Sequence, residues 1–181
     1  MRRSQIKCSS NSMHDDFFRA YGSAMFAWQI VETALFQLYH SLNVLGGQQN
    51  IMVSANAYYT KKSFGQKQKL VENIAKDQKV EKFIDDWKSI NSNLISESKI
   101  RNLLAHRPVC LMENRNGSIS FELHDPIFLP LSLREYPPTF SYNTDGCLEL
   151  CHRFKNLAQR IDAARELIPH KFVNNQLVLP E

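Results

Sequence analysis

Arg101, Asn102 and His106 stand together in SESKIRNLLAHRPV, residues Ser96 to Val109. The apolar spacing before them predicts a helix that Pro108 stops, so the trio falls on its last turns. At a helix C-terminus the macrodipole favours an imidazolium, which suits His106 to proton exchange near neutral pH. A histidine that both takes and gives a proton is what transesterification at phosphorus needs. It would serve as base for an attacking ribose 2'-hydroxyl and as acid for the departing 5'-oxygen. Arg101 would grip two phosphate oxygens and stabilise the charge of the pentacoordinate state, and Asn102 would orient the phosphate or the imidazole. This chemistry requires neither metal nor cofactor, and no metal-ligand spacing is visible among the histidines.

Helix geometry limits how these groups can meet. Five residues turn a regular helix by about 500°, leaving Arg101 and His106 roughly 140° apart around its axis. Either the helix unwinds before Pro108, or two copies of the segment face each other across a dimer axis and build one composite cleft.

The R-x4-H spacing alone carries little information. Arg165 to His170, RELIPH, repeats it, but Pro169 interrupts that copy. Arg101 also has a purely structural reading, in which it pairs with Glu97 or another carboxylate while His106 caps the helix. Glu32, in WQIVETAL, is a lone carboxylate within an apolar helix. Such a group is costly unless paired, so an Arg, Lys or His is expected beside it, with Arg101 one candidate for Glu32 to orient.

The elements that must position these residues are mostly helical. Residues 13–44 read as one long helix, entered at Ser12 with Asp15 three positions on and left at Gly46-Gly47. Phe18, Tyr21, Met25, Trp28, Leu35, Leu38 and Leu42 form its main stripe, and Phe17, Phe26, Ile30 and Phe36 add apolar surface elsewhere. A helix apolar on more than one face suggests a partner helix from a second copy. Residues 46–62 read as a loop. Ser63 and Gln66 then have capping-box spacing ahead of Leu70, Val71 and Ile74. A further helix is expected over 80–105, with Phe83, Trp87, Ile90 and Leu94 on one face and Arg101 returning to nearly the same face.

After Pro108 the periodicity alternates. Ile119, Phe121 and Leu123 behind Asn116-Gly117 predict a β-hairpin, and a proline-rich covering segment follows over 125–142. A last helix is expected over 144–168, with Leu150, Phe154, Leu157, Ile161 and Ala164 at helical spacing. The expectation is one all-α domain over 1–181, a bundle of about four principal helices with the 109–142 insertion before the last, a flexible 1–12 and a tail at 169–181.

Composition bounds the rest. Of 181 residues, 43% are hydrophobic and 22% charged, as in an ordinary folded domain. No apolar run approaches a membrane span and no secretory signal is visible, which makes a cytoplasmic location the expectation. Cys8, Cys110, Cys147 and Cys151 are too irregularly spaced for a disulfide framework. Cys147 and Cys151 share a helical face with Phe154, as small buried hydrophobes would. The net charge is +4, and residues 61–105 hold ten Lys or Arg and six Asp or Glu, the same balance. That excess suits a polyanion or a solvated helical face equally.

The RNLLAH wording, with Asn directly after the Arg at the end of a long helix in a small bundle, resembles the HEPN superfamily (higher eukaryotes and prokaryotes nucleotide-binding domain). The likeness covers residues 14–106 and the last helix, with the hairpin as an insertion. It implies a metal-independent endoribonuclease, Arg101 and His106 being its catalytic pair and Asn102 the polar residue beside them. It further implies a homodimer with facing motifs acting on single-stranded RNA, as toxins and abortive-infection effectors of the family do. An antitoxin or regulatory protein partner belongs to the same expectation. Members paired with a nucleotidyltransferase often carry a tyrosine two residues after the histidine, where this chain has Pro108, which puts that subgroup and its antitoxin in doubt. The alternative within the family is a silent dimer that binds RNA, a nucleotide or a protein without cutting.

Overall fold

The computed structural model describes residues 9–82, 84–113, 119–123 and 142–168. The chain is mostly helical: α1 (Ser9–Leu45), α2 (Ile51–Tyr59), α3 (Phe64–Asp77), a short 3-10 turn (Val80–Lys82), α4 (Trp87–His106), the strands β1 (Val109–Glu113) and β2 (Ile119–Leu123), and α5 (Thr144–Glu166). The small antiparallel hairpin precedes the last helix, as its alternating pattern predicts. The Asn116-Gly117 turn, the 125–141 segment, the 169–181 tail, Cys8 and Phe83 lie outside the described residues. No helix among the described residues is long and apolar enough to cross a membrane.

The chain divides into two compact units, residues 1–30 with 97–156 and residues 31–96 with 157–181. In the first, α1 buries Phe17, Ala20, Ala24, Ala27 and Trp28. The expected stripe holds at Trp28, while Phe18 at its N-terminal end is 40% exposed and Phe17, expected off the stripe, is buried. Alanines line the buried face between Phe17 and Trp28, and a helix packs closest where its side chains are smallest. From α5 come Cys147, Leu150, Cys151 and Phe154, with the Phe154 ring 5.2 Å from that of Trp28. Both α5 cysteines are buried free thiols, and burial pushes Cys147 up to about 11. The hairpin is in register with Leu111 opposite Phe121 and Val109 opposite Leu123. Leu123 is buried, and its backbone N–H donates to the Tyr142 carbonyl at 3.1 Å.

In the second unit, Val31, Ala34, Leu35, Leu38 and Leu42 carry the buried face of α1 onward at helical spacing. Here the 46–62 loop is corrected to a helix, α2. Asn50 caps it, accepting the Met52 N–H at 2.9 Å. Only Ser54 and Tyr58, one turn apart, are buried on it, while Ile51, Met52 and Val53 face outward. Its apolar residues therefore run against an inward stripe, which hides the helix from periodicity. The capping box at α3 is present as its spacing predicts, joining Ser63 and Gln66 in both directions. The long helix expected over 80–105 is a 3-10 turn followed by α4, on which Trp87, Ile90 and Leu94 are buried. At the other end α1 starts at Ser9, four residues early. Nothing between Ser9 and Met13 breaks a helix, and extending an existing helix costs little once its nucleus has formed.

Candidate functional site

Arg101, Asn102 and His106 all lie in the first unit, on the last turns of α4. The helix stays helical through His106, and the Arg107 N–H still bonds the Leu103 carbonyl at 2.9 Å. Of the two expected ways for the pair to meet, unwinding before Pro108 does not occur. Within one chain Arg101 and His106 keep their separation of roughly 140° around the axis. Tyr21 of α1 fixes this stretch by donating its hydroxyl to the Leu104 carbonyl at 3.2 Å.

Arg101 is half-buried and donates from Nη1 to the Asn102 side-chain oxygen at 3.3 Å, which brings these two residues together. It forms no ion pair, and its buried Nε–H has no hydrogen-bond partner, among the described residues. His106 is exposed, with neither a hydrogen bond nor an ion pair among the described residues.

Glu97 lies one turn before Arg101, at the i,i+4 spacing of a helical ion pair. Its carboxylate is taken instead by Arg153 of α5, whose Nε and Nη2 reach Oε1 at 3.2 and 2.6 Å. The Glu97 side chain is only 13% exposed, so the pair is largely shielded on that side. Its Oε2 is buried without a partner among the described residues. The Tyr142 hydroxyl is pushed up by burial and by the Glu97 charge, against the pull of Arg153, which locates it in the field of this pair. Neither Arg153 nor Tyr142 is marked by a motif. The one available signal was Arg153 among the outward positions of α5, in a sequence that offers Glu97 more than one arginine.

The first unit also holds an aromatic cluster. The Phe17 ring stacks at 6.4 Å on Tyr21 and lies 6.2 Å from Phe121 of β2, while His14 sits 4.6 Å from Phe18 and 5.3 Å from Phe121. Trp28 and Trp87 are core residues, 1% and 4% exposed. Within this cluster Phe18 is 40% exposed, and His14 is exposed as well.

Glu32 belongs to the second unit, and the cation beside it is Lys67 of α3, with Nζ 2.7 Å from Oε2. The same ammonium lies over the Tyr58 and Tyr59 rings at 5.4 and 5.5 Å, and the Tyr58 hydroxyl donates to the Glu32 carbonyl at 3.2 Å. The cost of the carboxylate on an apolar helix is thus offset locally.

No family model, curated protein or solved structure matches this chain.

Proposed function

We propose that the chain is a metal-independent endoribonuclease of HEPN type, cleaving single-stranded RNA by 2'-hydroxyl transesterification in a cleft shared by two copies. Carrying the reading is one observation: the guanidinium of Arg101 is free of carboxylates among the described residues because Glu97 is held by Arg153. An arginine with an unsatisfied, desolvated N–H at a helix end awaits an anion, and a phosphodiester fits its fork. His106, exposed on the next turns, supplies the proton transfers. Since a regular helix keeps the two groups apart, the Arg101 of one copy works with the His106 of the other. Asn102 holds the Arg101 fork in position, and the half-exposed Phe18 ring offers a face on which an unpaired base stacks. Glu32, engaged with Lys67, serves as a structural pair.

The test is cleavage of single-stranded RNA by purified protein in excess EDTA, with wild type and His106→Ala compared at equal concentration. The proposal expects 2',3'-cyclic phosphate ends from wild type and a loss of about 10²–10⁴-fold in the variant. Intact RNA with both proteins, together with RNA binding that depends on Arg101, would establish the silent binding dimer instead.

A further inference from the structure

A cavity of about 600 Å³ opens between α3, the 3-10 turn and the start of α4, within the second unit and apart from the Arg101 motif. That volume is in the range of small-molecule sites. Its floor is apolar: Ala75, Val80 and Trp87 are buried, while Ile95 on the wall is 43% exposed. Its mouth carries Lys76, Lys79 and Lys88 against Glu72 and Glu81, a surplus of one positive charge, three minus two.

The lysines are not equivalent. Lys76 lies 2.7 Å from the Glu72 carboxylate and Lys88 3.9 Å from that of Glu81. The Lys79 ammonium has no hydrogen bond or ion pair among the described residues. Its backbone is also unusual. With φ at +52° it is the one non-glycine residue in the left-handed region among those described. It follows the C-cap Gln78, at the position where helices commonly end on glycine. The negative end of α3 favours a cation there, which accounts for a basic residue but not for the apolar floor beneath it. One more donor lines the same space: Asn91, its oxygen already accepting from Gln68 at 2.5 Å, offers a ligand its NH2 group.

We propose that this cavity binds a small amphipathic anion, an alkyl or aryl carboxylate or phosphate monoester, its apolar body on Val80 and Trp87 and its charged head at Lys79. The surplus of one positive charge matches one anionic head, and the apolar floor requires a body that free phosphate lacks.

Titration calorimetry on the full chain tests this, with octanoate and octyl phosphate as probes and octyltrimethylammonium as the charge-reversed control. The informative variant is Lys79→Gly, which removes the cation while relieving the left-handed backbone, so the fold is retained and the unfolding midpoint holds or rises. Saturable binding of at least one anion at one site per chain is expected, weakened at least about tenfold in Lys79→Gly. Comparing the two heads then assigns carboxylate or phosphate. Absence of saturable binding to wild type, equal binding by Lys79→Gly, or equal binding of the ammonium control would overturn the proposal. Because no RNA is present, the outcome does not depend on the ribonuclease reading.

Discussion

Glu97 stands within reach of Arg101 on its own helix, yet its carboxylate is held by an arginine from α5. On the proposed ribonuclease reading, that choice keeps the Arg101 fork available for phosphate and makes Arg153 a positioning residue acting through Glu97. Replacing Arg153 with glutamine leaves a carboxylate only 13% exposed without its cation. Because Arg153 itself is 40% exposed, solvent screens much of the lost pairing, and the expected cost is on the order of 1–2 kcal/mol by denaturant unfolding. The released Glu97 then turns to Arg101, and RNA cleavage falls by about tenfold or more. The double variant Glu97→Gln/Arg153→Gln should recover most of that activity. A purely structural pair predicts lost stability in Arg153→Gln with cleavage unchanged.

At the scale of elements, legibility followed side-chain size. The hairpin, the α3 capping box and the α5 stripe could be read from sequence because their signals are local: alternation, a serine three residues before a glutamine, apolar residues at helical spacing. The face of α1 could be read in part: Trp28, Leu35, Leu38 and Leu42 are buried as expected, whereas Ala20, Ala24 and Ala27 carry the buried face where Phe18 is exposed. Ala24→Leu tests the alanine face. Inserting three heavy atoms at a fully buried position should cost about 1–3 kcal/mol by denaturant unfolding, and a neutral result would contradict close packing there. The α2 helix was missed because its inward residues are Ser54 and Tyr58. Ser54 is hydrogen-bonded to His40 of α1 at 3.1 Å. Burial holds His40 below its ordinary pKa of 6.5, so the unfolded chain takes up the proton more readily. The stability this gives is present above pH 6.5 and is lost as the pH falls through the lower folded-state value. Thermal unfolding midpoints should drop across that interval in wild type, with a smaller drop in His40→Gln.

At the scale of the whole molecule, the proposed cleft joins two copies of the chain. Arg101, Asn102 and His106 could be singled out because their residue types at a helix end suit a chemistry, whereas Arg153 and Tyr142 depend on how α5 and the residue bridged to Leu123 pack within the first unit. Neither kind of signal reveals a second chain. The proposed mechanism requires one because α4, regular through His106, does not turn both groups into one place. The most direct measurement mixes two inactive proteins, Arg101→Ala and His106→Ala, under conditions that let subunits exchange. Each variant alone should fail to cleave single-stranded RNA in EDTA. After exchange about half the dimers are mixed, and each mixed dimer holds one intact pairing of arginine and histidine from different chains, so roughly a quarter of wild-type activity should return. An active wild type whose exchanged variants stay inactive, or a wild type that is active as a monomer, would contradict the shared cleft.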